Sequence, residues 1–137
     1  MADYNEMFIF EMRQLIQQLE QIIIQSESGY SMSQINETFR IMHTIKGSAA
    51  MLMYDSISST AHSIEDLFYY LRENSPKNMD YKRLTDLVLA GVDFFKEELG
   101  KVENGTAVDG DGASIIAPIK QYLEAIKGGA VSPPRYS

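Results

Sequence analysis

Along this chain apolar side chains return every three or four residues, and no segment sustains an apolar–polar alternation. That is the period of an α-helix rather than of a strand. Five apolar stripes follow. Phe8, Met12, Leu15, Leu19 and Ile22 line a first helix, which Ser28, Gly29 and Tyr30 interrupt. Ser33 or Ser31 is placed to cap a second helix with the face Ile35, Phe39, Met42, Ile45, Ala49 and Leu52. Asp55 or Ser56 is placed to cap a third, whose stripe is Ile57, Ala61, Ile64, Phe68 and Leu71. Asn74-Ser75-Pro76 ends it, because the residue before a proline is pushed out of helical conformation. Asp80 opens a fourth stripe of Leu84, Leu87, Val88, Phe95 and Leu99. Gly91 lies within it and allows close packing, and Gly100 sits where a glycine cap is expected. Asn104 to Gly112 is rich in glycine and aspartate and predicts a solvated loop. Ile115, Ile119, Leu123 and Ile126 mark a shorter fifth helix. Its regular part is expected to begin near Pro118, since proline fits only a first turn, and Gly128-Gly129 is expected to stop it.

Five stripes with mostly short connections predict an all-α fold, an antiparallel bundle of about five helices around one core. Helices two to four should be neighbours in space as they are in sequence. Residues 1–127 form the expected domain; 128–137, with Pro133-Pro134, are a mobile tail or the start of a linker. A length of 137 residues suits one domain.

Charge and composition narrow the function. The formal net charge is −7 and the pI about 4.7. Such a surface repels nucleic acid and anionic membranes, so neither is an expected partner. No apolar run approaches the ~20 residues of a membrane span. The start, Met1 to Glu6, has no signal-peptide character, so a cytoplasmic location is expected. The absence of cysteine excludes disulfides, thiolate metal sites and cysteine catalysis.

Candidate chemistry gathers around the two histidines, His43 and His62. On the second helix, Lys46 and Gly47 lie on the face of His43 one turn later, with Ala50 two turns on. That face offers an imidazole, a cation and then a clearing. Phe39 and Met42 put the core on one side of His43, which places the ring at the rim. Gly47, Ser48, Ala49 and Ala50 form a run of small residues. Ala49 faces the core, whereas Gly47 and Ala50 leave room for a group or a partner surface. On the third helix His62 and Glu65 share one face bordering the second helix. Side-by-side packing brings Glu65 to the His43 ring. A carboxylate accepting from Nδ1–H fixes the tautomer and leaves the Nε2 lone pair outward, as a histidine nucleophile requires. Lys46 is then placed to pair with phosphoryl oxygens. The plainer reading of Lys46 and Glu65 is a solvated helix face.

Phe39-Arg40-Ile41-Met42-His43-Thr44-Ile45-Lys46-Gly47-Ser48-Ala49-Ala50 resembles the phosphoacceptor motif of histidine-phosphotransfer domains, F-R-x-x-H-x-[IL]-K-G-x-[AS]. Ala61 to Leu67 and Phe8 to Glu20 are similar to the corresponding helices of the chemotaxis-kinase branch, which carries H-x-x-E after the acceptor. The resemblance implies a four-helix core in which His43 is the phosphoacceptor and Glu65 orients it, with Lys46 and His62 as polar neighbours. It implies that Gly47, Ser48 and Ala50 admit a docked partner. It implies two partners, an ATP-binding kinase domain and the receiver domain of a response regulator. ATP and magnesium belong to the kinase domain; this domain needs no cofactor or metal of its own. The resemblance supplies neither a nucleotide site nor an acceptor aspartate, so the domain alone lacks a complete enzymatic site. An isolated domain is expected to be monomeric. Ser48, Ala50 and Met53 stand where members of the family usually have glycine, and the glycine matching Met53 helps end the helix.

Three other readings compete. A free-standing relay protein would use His43 in the same way, shuttling between two aspartates. A metal-binding bundle would use His43, His62 and Glu65, but di-iron bundles repeat Glu-x-x-His with further carboxylates, and Lys46 repels a cation. A pure interaction bundle makes no use of the His43 face. Asp109-Gly110-Asp111-Gly112 resembles the start of a calcium loop, yet the twelfth position from Asp109 is Lys120 rather than glutamate.

Overall fold

The computed structural model describes residues 2–26, 28–77 and 79–131. Five helices follow one another: α1 (Ala2–Gln25), α2 (Met32–Met51), α3 (Asp55–Asn74), α4 (Tyr81–Asn104) and α5 (Ala113–Val131). The all-α expectation holds. Helix α1 packs on α2 and α4, and α3 packs on α2 and α4, which closes a four-helix core. Helix α5 lies outside that core, against α3 and α4.

The stripes become the core. Phe8, Met12, Leu19 and Ile22 from α1 meet Met42, Ile45 and Ala49 from α2. Ile57, Ala61, Ile64, Phe68 and Leu71 from α3 meet Leu84, Leu87, Val88, Phe95 and Leu99 from α4. Gly91 allows close approach: a Cβ there would lie 2.6 Å from Ile64 Cδ1. Each such burial removes apolar area from water, which is the main force favouring the bundle.

The helix ends refine the sequence reading. Of the two serines, Ser31 caps α2, in a capping box with Gln34. Asp80 caps α4 through the Arg83 amide. Neither Asp55 nor Ser56 caps α3: its N-cap is Tyr54, without a side-chain bond, and Asp55 is the first helical residue. An acid in that first turn still suits the helix dipole. Gly100 is interior to α4; the left-handed cap is Gly105, with φ 69°. Burial of Val102 and the bond from the Gly105 amide to Lys101 extend the helix past Gly100.

Helix α5 departs most. It starts at Ala113, five residues before Pro118, and Pro118 sits inside it. The Gly112 carbonyl accepts from the amides of Ile115 and Ile116 and opens that first turn. Packing outweighs the bond that proline lacks: Ile119 is buried, Ile115, Leu123 and Ile126 are half-buried, and Tyr122 Oη donates to the Asp80 carbonyl at 3.0 Å. The same helix runs through Gly128-Gly129 to Val131, so the first four residues of the expected tail are helical. The rest of that tail, 132–137, lies outside the described residues.

The segment before α5 is also more than a solvated turn. Buried Glu98 accepts from the Gly110 amide at 2.9 Å and pairs with Lys101 at 2.7 Å, and Lys101 reaches Asp109 at 3.0 Å. A Cβ on Gly110 would overlap the Glu98 carboxylate, and one on Gly112 would lie 2.5 Å from Thr60 Oγ1.

Candidate functional site

The site lies on the edge where α2 meets α3. Only Leu52, Met53 and Tyr54 join these helices. The Tyr54 amide bonds the Ala49 carbonyl at 2.9 Å and the Met53 amide bonds that of Ala50 at 3.0 Å. These two bonds form a Schellman ending, with Met53 in left-handed conformation at φ 65°. Glycine adopts that conformation without strain; here methionine holds it. Beyond the turn, Ser58 Oγ donates to the Lys46 carbonyl at 2.9 Å and holds the two helices in register.

With that register, Glu65 faces His43. Its Oε2 lies 2.7 Å from His43 Nδ1. Lys46 Nζ lies 2.7 Å from the other oxygen, Oε1. The Lys46 contact is an ion pair without hydrogen-bond alignment, since Oε1 has no aligned donor. The Glu65 side chain is only 8% exposed, whereas the imidazole is 65% exposed. Burial pushes the Glu65 carboxyl up, but contact with Lys46 and His43, and their charges, outweigh it and hold the group below its ordinary value. An ionised Glu65 accepts from Nδ1–H, so the ring carries its proton on Nδ1 and turns a free Nε2 lone pair outward. An exposed nucleophilic nitrogen backed by a buried anion can take a phosphoryl group and delocalise the resulting ring charge toward that carboxylate.

The remaining expected residues fall in different places. Gly47 is exposed, and a Cβ added there would meet nothing within 4 Å; Ala50 is exposed on the same side of α2. Ser48 turns away to α1, where its Oγ donates to Glu11 at 2.8 Å. His62 does not meet His43 in a hydrogen bond; its Nε2 lies 3.4 Å from Asp66 on its own helix, and both side chains are exposed. His62, Glu65 and Asp66 bring one ligand atom each within 4.8 Å. Glu65 already engages the Lys46 ammonium and the His43 ring, so a cation there would have to displace Lys46.

Two features were not read from the sequence. One is the Lys46–Glu65 pair, because a helical repeat gives the face of a lysine and not which anion its long stem reaches. The other is an apolar groove of about 540 Å³ between α1 and α2, beside Ser48, which includes Met7, Phe10 and Met51. The signal for it was present in the bulk of Met51, which lines the groove and is 83% exposed.

The structure is thus a helical bundle presenting a carboxylate-oriented, outward histidine at one edge. The family model described as the Hpt domain matches residues 3–129. The chain belongs to the histidine-phosphotransfer (Hpt) domain family. It is 34% identical over 118 residues to a chemotaxis protein CheA of Borreliella burgdorferi, covering 85% of this chain and 13% of that protein. It is 30% identical over 119 residues to the CheA of Treponema pallidum, covering 86% and 14%. A sensor histidine kinase, CheAY of Helicobacter pylori, is 27% identical over 128 residues, covering 92% and 16%. The chain thus spans 13% to 14% of the length of the first two relatives. Among the described residues no helix is long and apolar enough to cross a membrane.

Proposed function

We propose that this chain is the phosphoacceptor and phosphotransfer domain of a chemotaxis-type two-component histidine kinase. His43 Nε2 attacks the γ-phosphorus of ATP held by a separate kinase domain; the N–P bond forms as the bond to the β-phosphate oxygen breaks and ADP leaves. Receiver-domain attack then forms an aspartyl phosphate and returns the electron pair to Nε2. Glu65 keeps the Nδ1 proton in place through both steps. Catalysis of phosphoryl transfer rests on positioning and charge, which suits a domain that holds one nucleophile and borrows the rest. The observation that carries the reading is the 2.7 Å contact between buried Glu65 and exposed His43. Lys46 is the cation available to the phosphoryl oxygens, at the cost of loosening its pair with Glu65. Gly47 and Ala50 give the partner clearance, while Ser48, bonded to Glu11, lies on the α1 side beside the neighbouring groove. The domain itself needs no cofactor; ATP and magnesium sit on the partner.

The names and lengths of the CheA relatives favour a module of a longer kinase over a free-standing shuttle. Incubation with a CheA-type kinase core, ATP and magnesium is expected to leave an acid-labile, base-stable phosphate on the chain. His43→Gln should abolish it, and full labelling of that variant would reassign the acceptor.

A further inference from the structure

Among the described residues one hydrogen bond, at Nδ1, holds the His43 ring, and most of the ring faces water. A ring tied at a single atom keeps freedom to swing about that contact. The ring stacks with Phe39, one turn earlier on α2, with ring centroids 6.4 Å apart and planes 19° apart. Offset aromatic rings attract at such distances. Phe39 is itself half-buried, and the groups that hold it come from the last turns of α3.

The Arg72 guanidinium carbon lies 4.3 Å from the Phe39 centroid and 5.5 Å from that of Tyr69. Tyr69 meets Phe39 at 6.1 Å. Arg72 is fixed in turn: its Nη1 donates to Asn36 Oδ1 at 3.1 Å and its Nε to Glu73 Oε2 at 3.0 Å. Asn36, Phe39 and His43 follow at steps of three and four, so they stand in one column along α2. Arg72 clamps the foot and middle of that column, and His43 stands at its head. A planar guanidinium suits this place because it stacks on a ring and hydrogen-bonds in its own plane at once, which an ammonium cannot do.

We propose that Arg72 is a positioning residue for the phosphoacceptor, acting through Phe39. By holding the Phe39 ring it maintains a wall that confines the His43 imidazole to the orientation in which Nδ1 meets Glu65 and Nε2 faces outward. This inference rests on the phosphoacceptor reading of His43 for its consequence, but its structural half does not. A different role is available to Arg72, since a cation in the last turn of α3 also favours the helix dipole. Arg72→Lys separates the two: it keeps the charge at the helix end and loses the plane.

The test uses the 137-residue chain. Three-bond couplings to the His43 ring carbon report its χ1 rotamer, and imidazole nitrogen shifts report its tautomer. The unaltered chain should show one rotamer with the proton on Nδ1. Arg72→Met and Arg72→Lys should both average the couplings, while Arg72→Lys keeps the melting temperature of the unaltered chain. With a CheA-type kinase core, both should lower the turnover number by about threefold to tenfold with little change in KM. In a Phe39→Leu background Arg72→Met should have no further effect, because the wall is already gone. Unaltered couplings and turnover in Arg72→Lys would overturn the proposal, as would an undiminished effect of Arg72→Met on top of Phe39→Leu. Absence of labelling in the unaltered chain would tell against the phosphoacceptor reading, while averaged couplings would still establish the wall.

Discussion

Met53 occupies a left-handed position at the end of α2, at φ 65°, where a side chain is normally unwelcome. The strain of such a residue is about 1 kcal/mol or more, partly offset by the entropy that glycine loses on folding. Met53 is also largely exposed, so its side chain returns little by packing. Met53→Gly is therefore expected to raise stability by about 1 kcal/mol, read as a higher urea midpoint at unchanged slope; a lower midpoint would mean that the thioether packs in solution. The resemblance to the family marked this residue as out of place, but its backbone angle required the folded chain. The His43–Glu65 contact was legible beforehand because helical spacing and a short connection leave few other arrangements. The second partner of Glu65 was not, since a lysine stem sweeps a wide arc. That pairing has a pH signature. The Glu65 carboxyl is held below its ordinary value of 4.5, so its ionised form stabilises the fold. The contribution is complete above the unfolded value and is lost as pH falls through the lower folded one. As pH falls below the ordinary carboxyl value of 4.5, the unaltered chain should lose stability more steeply than Glu65→Gln. Equal slopes in pH-dependent denaturant melts would remove the pair from the stability of the fold.

Elements were legible where one periodic face met one core, and less so where a local signal competed with packing. The stripes of α1 to α4 became the faces turned to the core, with Leu15, Ile35, Phe39 and Leu52 half-buried at its margin, because burial of those side chains contributes most to folding. Gly100 and Pro118 carried the expected local signals, yet neither ends nor starts a helix, because Val102 and Ile119 are buried beyond them. Propensity of about 1 kcal/mol for a glycine yields to a buried side chain worth more. The segment after α4 shows the converse: its glycines read as solvated, yet Gly110 lets the Glu98 carboxylate close on the backbone and Gly112 fits tightly against Thr60. Gly110→Ala forces a methyl into the Glu98 carboxylate, which is buried and already bonded to that same backbone. Such crowding, with one bond to a buried charge loosened, should cost about 1–3 kcal/mol in chemical denaturation. A cost near zero would show that the segment moves aside freely. Neither Glu98 nor its role was visible in the sequence, because a lone glutamate on an amphipathic helix resembles any solvated residue.

At the scale of the molecule, stability and chemistry are carried by different parts of one bundle. The His43–Glu65 edge is built from α2 and α3, whose register is set by the short turn at Met53 and by the Ser58–Lys46 bond. Among the described residues, helix α5 packs on α3 and α4, touches neither α1 nor α2, and contributes Ile119 to the core. Removing residues 113–137 therefore strips apolar cover from the core without touching the site directly. Loss of the fully buried isoleucine with its half-buried neighbours should lower stability by about 3 kcal/mol or more. The Nδ1–Glu65 hydrogen bond should survive at temperatures where the shortened chain is still folded, and with it the labelling of His43. Imidazole nitrogen spectra of the two chains, compared below the melting point of the shorter one, test this directly. A loss of the Nδ1 proton signal in a folded, shortened chain would show that α5 presses α3 into place against α2. The outer helix would then belong to the site as much as to the core.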